Sequence, residues 1–140
     1  MEKLYHYLKK ISADYSVEKY GENYFFNAPP VLYNAAVVSF DPLDREATRT
    51  AEKIRKYCKR YGYIIFYTFH NLYTFGFAIT TPENRTAAEL YRRFSDQAAR
   101  EFEEMQHEYY NTGRHNEINA AGLAIMDKYE KQYLKALKTA

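Results

Sequence analysis

The residues best placed to do chemistry lie in EEMQHEYYNTGRHNE, residues 103–117. Glu104 and His107 are three apart, the spacing at which a carboxylate and an imidazole on one helix face share a metal ion, and His115 and Glu117 can fold back across the intervening glycine. A di-iron bundle uses that Glu-x-x-His pair twice with two further glutamates, whereas this chain has it once. The incomplete ligand set predicts surface charge beside a loop, and no cofactor is implied. Nucleophilic chemistry has one thiol to draw on, Cys58, the only cysteine of the chain. Helical phase places it on the core side of its helix, where a thiol is inert. The five glycines are scattered singly, with no phosphate-binding loop and no dinucleotide fingerprint. These absences point to a protein that is not an enzyme.

Binding chemistry is better represented. Arg49, Lys53, Lys56 and Arg60 follow i, i+4, i+7, i+11 spacing and draw one line of positive charge along a helix, flanked by Arg45 and Lys59. Such a line is either a plain solvated face or a contact for a phosphate backbone or an acidic protein. Ala47, Ala51, Ile54, Cys58 and Tyr61 take the opposite, sheet-facing side.

The second candidate is YGYIIFYTFHNLYTFGFAITTP, residues 61–82, which has no Lys, Arg, Asp or Glu. It is long enough to span a membrane, but His70 and Asn71 fall at its middle, where a spanning helix tolerates polar groups least. A β-hairpin over 63–69 and 72–80, turning at His70-Asn71, suits it better. Strict alternation then puts Ile64, Phe66, Tyr73, Phe75, Phe77 and Ile79 on one face, the core face, and Tyr63, Ile65, Tyr67, Phe69, Leu72, Thr74, Gly76 and Ala78 on the other, with Gly76 across from Ile65. The second face is either covered by helices or left partly open, with Tyr63, Tyr67 and His70 available to stack a base or a partner's side chain and Gly76 admitting a ligand close to the backbone.

The elements that position these residues are legible from periodicity and punctuation. Residues 2–11 predict a short helix with Leu4, Tyr7, Leu8 and Ile11 on one side. DYSVEKYGENYFFNAPP suggests a hairpin about Gly21, and VLYNAAVVSF a firm strand. Asp41-Pro42 with Asp44 starts a helix that ends at Gly62, so strand 35–40, helix and strand 63–69 make a βαβ unit with parallel strands. After Pro82 the chain is helical: one long helix carries Ala87, Leu90, Phe94, Ala98, Phe102, Met105 and Tyr109, NTGRHN breaks it, and a last helix presents Ile118, Ala121, Ile125, Tyr129 and Ala136. The expected fold is a single α+β domain over residues 1–140, its mixed or antiparallel sheet packed by helices, with a C-terminal helical hairpin.

At 140 residues with 46% hydrophobic content the chain can bury a core without metals or bridges. Twenty Lys and Arg against eighteen Asp and Glu leave a net charge of +2, so any basic surface must be local. One cysteine and the charged start MEKLYHYLKKIS, which lacks an apolar signal core, predict a cytoplasmic protein of the producing or host cell. In size, in lacking catalytic motifs and in tyrosine content, the chain resembles in type many accessory proteins of phages and mobile elements. That resemblance implies occlusion or recruitment of a host nucleic-acid enzyme, as anti-CRISPR and anti-restriction inhibitors do, with a protein as the partner. Direct RNA or DNA binding through the basic helix and the Tyr face is the alternative, and a metal-dependent enzyme around His107 a third.

Overall fold

The computed structural model describes residues 1–18, 26, 28–31, 34–109 and 115–140, the side chains of residues 16–18, 115 and 116 falling outside that description. The described chain is an α+β fold with element order α1 (Glu2–Lys10), β1 (Tyr15–Glu18), β2 (Ala35–Phe40), α2 (Ala47–Tyr61), β3 (Ile64–His70), β4 (Phe75–Thr80), α3 (Arg85–Glu108) and α4 (His115–Thr139). The strand order is β1-β2-β4-β3, and every hydrogen-bonded pair is antiparallel. β2 and β3 run in the same direction, as a crossover through α2 requires, but β4 lies between them. The βαβ unit is therefore split by the returning strand of the hairpin. β1 pairs with β2, and the turn expected at Gly21 lies outside the described residues.

The sheet separates two apolar cores. On one side α1 and α2 bury Leu4, Leu8, Ala51, Ile54 and Cys58 against Val38, Phe77 and Ile79. Alone, a nine-residue helix such as α1 would be marginal in water. Leu4 and Leu8, both fully buried, contribute about 1.5–3 kcal/mol each and hold it down. On the other side α3 and α4 bury Tyr91, Phe94, Ala98, Ile125 and Tyr133 against Val37, Phe66 and Ala78. Gly122 lets α4 approach α3, since a Cβ there would stand 2.8 Å from the Phe102 ring. The same two helices are tied at Glu101, which accepts from Tyr129 at 2.6 Å and Lys128 at 2.9 Å. Those bonds, Tyr129's foremost, hold the Glu101 carboxyl below its ordinary range.

Two expectations are corrected by local polar geometry. α2 begins at Ala47 rather than at Pro42. Asp41 Oδ1 accepts from the Leu43 amide and Asp44 Oδ1 from the Glu46 amide, both at 2.9 Å, so two successive Asp-led turns take the place of the first helical turn. The C-terminal signal holds, with Gly62 left-handed at φ 81°.

The hairpin register also differs. His70 pairs with Phe75 and Asn71 anchors a longer turn, its side chain accepting from the amides of Tyr73 and Thr74. A β-bulge at Phe66 then separates the Ile65–Ile79 pair from the Tyr67–Ala78 pair. Across an extra residue, alternation changes phase. Phe75, Phe77 and Ile79 share a face as expected, but Ile65 joins them, while Ile64 and Phe66 pack on the α3–α4 side.

Candidate functional site

α2 carries its two faces as the spacing predicts. Ala47, Ala51, Ile54 and Cys58 are buried, and Arg49, Lys53, Lys56 and Arg60 are all exposed. Arg49 to Arg60 spans about 16 Å along the helix axis. Arg49 lies 3.5 Å from Glu46 in an open ion pair and Arg55 2.7 Å from Glu52; both are solvent-screened and hold the cations only loosely. α1 lies in the same layer, its Tyr7 ring stacked on Tyr57 with centroids 3.9 Å apart and planes within 5°. Tyr57 also donates to the Lys3 carbonyl at 3.3 Å. Between them α1 and α2 present nine Lys and Arg, all exposed, against Glu2 and Glu52. The α3–α4 layer holds eight Lys and Arg against nine Asp and Glu. A small total charge thus conceals a strongly cationic face on one side of the sheet.

The tyrosines do not share the single face that strict alternation predicts. Because the bulge inverts the phase, Tyr63 packs on the α1–α2 side and Tyr67 on the α3–α4 side, both half-buried. Tyr63 is stacked with Tyr57 at 6.1 Å and Tyr67 with Phe69 at 6.3 Å. Burial raises both hydroxyls above the ordinary phenol range. Gly76 faces Phe69 rather than Ile65. A side chain has no room there, because a Cβ would meet the Val38 carbonyl oxygen at 1.9 Å and the Phe69 ring at 2.8 Å, and Gly76 also borders the cleft beside His70. The glycine serves packing between β2, β4 and a ring.

His70 is exposed at the end of β3, edge-on to Phe75 with centroids 6.1 Å apart. It lines an open cleft of about 580 Å³ with Pro42, Arg55, Phe69 and Phe75. Phe40 pairs with Phe75, so the loops on either side of that pair leave the same end of the sheet. Leu43, Leu72 and Tyr73 stand there 90%, 89% and 84% exposed. A second cleft of about 540 Å³ runs between the outer edge of β3 and α3, beside Tyr67, Arg92 and Asp96. Arg92 donates to the Ile65 carbonyl there and blocks part of that strand edge.

The residue that phase reasoning misplaced is Tyr61. Expected to face the sheet, it is 39% exposed, because it occupies the last turn of α2, where the chain swings away at Gly62. Lys3 Nζ stands 3.6 Å from its ring centroid and the Arg60 guanidinium carbon 5.4 Å. The sequence signal was present in the dipeptide Arg60-Tyr61 before a helix-ending glycine, where an aromatic joins the end of a cationic line.

Cys58 is buried and its thiol is pushed up to about 12 by desolvation, so it stays protonated. Glu104 and His107 are exposed on α3, and the side chain of His115 lies outside the described residues. Among the described residues no three His, Cys, Asp or Glu come together as a metal site, and no helix is long and apolar enough to cross a membrane. Comparison with protein-family models, curated proteins and solved structures found no match.

Proposed function

We propose that this chain is a non-enzymatic binding protein that lays its α1–α2 face along the phosphate backbone of a nucleic acid and so occludes or recruits the enzyme that works on it. One observation carries the reading: the nine-to-two excess of cations over acids within helices α1 and α2, set against near balance within α3 and α4. A phosphate backbone rewards such a face through counterion release, which grows with each neutralised phosphate. The near-zero total charge is no objection, because the field at a surface is set by nearby charges within a Debye length of about 8–10 Å.

The test is binding of generic duplex and single-stranded oligonucleotides across a salt series, with Arg49, Lys53, Lys56 and Arg60 all changed to Gln. The wild type should bind at low salt, with log K falling linearly against log salt. The quadruple variant should fold normally and lose about 0.7–0.9 of slope for each phosphate contact removed. Absence of binding to either nucleic acid at low salt sinks the proposal.

A second reading has its own observation, the exposed Leu43, Leu72 and Tyr73 around the His70 cleft. Apolar tips rimming an aromatic cleft suit a protein partner, here a nucleic-acid enzyme blocked directly. Recovery of one protein whose retention needs Leu72 and Tyr73, but not the four cations, favours that reading.

A further inference from the structure

We propose that the cationic face takes single-stranded nucleic acid, with one base stacked on Tyr61 in place of the Lys3 ammonium and the neighbouring phosphates held by Lys3, Lys56 and Arg60. The inference rests on the phosphate-backbone reading and adds the strandedness of the ligand and the residue that selects it. Tyr61 ends a row of rings. Tyr7 stacks on Tyr57 at 3.9 Å, and Tyr57 leans on Tyr61 at 4.6 Å with planes tilted by 47°. The inner two are half-buried and fixed by that stacking, whereas the last is exposed. A ring backed in this way loses little freedom when a base settles on it.

One π face of Tyr61 already holds a cation at stacking distance, the Lys3 ammonium 3.6 Å from the centroid, and the residue is 39% exposed. Lys3 is itself exposed and long, so it can leave the ring at small cost. Its charge is then free to meet a phosphate. Of the α2 cations, Arg60 stands nearest the Tyr61 ring at 5.4 Å, and Lys56 follows it one turn back on the same line, both exposed. A base in a duplex is paired and stacked on its neighbours, and a side chain on a helical surface cannot reach its π face without unstacking it. An unpaired base carries no such cost, and stacking on an aromatic ring tolerates any base.

The experiment compares a short oligothymidylate with a duplex of equal phosphate number, using wild type, Tyr61→Ala, Tyr61→Phe and Tyr61→Trp. Tyr61→Ala should weaken the single strand by about 5- to 150-fold, leave the duplex within about twofold, and keep the salt slope, because no phosphate contact is lost. Tyr61→Phe should behave as wild type. The chain has no Trp, so Tyr61→Trp introduces a single indole whose fluorescence the single strand should quench and the duplex should not. Salt-dependent binding of both ligands that Tyr61→Ala leaves unchanged, or weakens equally, overturns the stacking inference while the phosphate-backbone reading stands. Failure of the wild type to bind either ligand at low salt overturns both.

Discussion

Cys58 shows how a single side chain reports on the packing around it. Its thiol, ordinarily near 9.0, is pushed up to about 12 because burial disfavours the thiolate. A native thiol that binds its proton more tightly than the unfolded one adds stability that is fully present below pH 9 and is lost as pH rises from 9 toward 12. Tyr7, Tyr57 and Tyr63, also raised chiefly by burial, extend the loss beyond their ordinary value of 10.0. Urea unfolding from pH 8 upward should therefore show stability falling above pH 9. In Cys58→Ala the decline should begin nearer pH 10, and an identical onset in both proteins contradicts the assignment. The native thiol should also react with a maleimide only as fast as the protein opens, since it is 2% exposed. Labelling at the rate of a free thiol would place Cys58 outside the core. Helical phase alone located this residue correctly, because Cys58 sits mid-helix, where phase and burial agree. Tyr61, one turn later, escaped the same rule at the last residue of the element.

Elements were legible where one period runs unbroken and illegible where an extra residue intervenes. α2, α3 and α4 follow their apolar stripes, although Tyr91 and Tyr133, fully buried, were passed over because tyrosine reads equally as surface. The hairpin strands were recognisable from β-branched and aromatic content, but nothing in YIIFYTF marks the bulge at Phe66. One inserted residue sent Tyr63 and Tyr67 to opposite sides of the sheet, where strict alternation had them share a face. Phe66→Ala and Phe77→Ala, at 2% and 0% exposure, should each cost about 3–5 kcal/mol, whereas exposed Thr68→Ala between them should stay within about 0.5 kcal/mol. Chemical denaturation checks all three, and a tolerated Phe66→Ala would show that its ring is not packed in the α3–α4 core. Gly76→Ala tests the crowding at the centre of the sheet. Its Cβ has no room beside the Val38 carbonyl, so β2 and β4 must part, at about 1–3 kcal/mol or more. A neutral Gly76→Ala would show that the strands yield freely.

At the scale of the whole molecule, the sheet is a partition between two helical layers of different charge. The α1–α2 layer needs only short apolar seams to hold it, Leu4 and Leu8 on one helix and Ala51, Ile54 and Cys58 on the other, which leaves its outer surface free to concentrate cations. The α3–α4 layer holds its charges near balance, with ion pairs between Glu101 and Lys128 and between Asp127 and Lys131, the latter at 2.8 Å. Composition could not reveal this segregation, because a net charge of +2 sums over both layers; the helical line from Arg49 to Arg60 was its only trace in the sequence. If the face rather than the total charge governs binding, two quadruple variants of equal net charge should differ. Replacing Arg49, Lys53, Lys56 and Arg60 with Gln should weaken nucleic-acid binding at low salt by at least tenfold. Replacing Arg100, Lys131, Lys135 and Lys138, all exposed on the other layer, should leave it within about twofold, since those charges lie beyond a Debye length from the bound backbone. Equal weakening by both sets would mean that the protein attracts nucleic acid through its overall charge and that the α1–α2 face has no special claim to it.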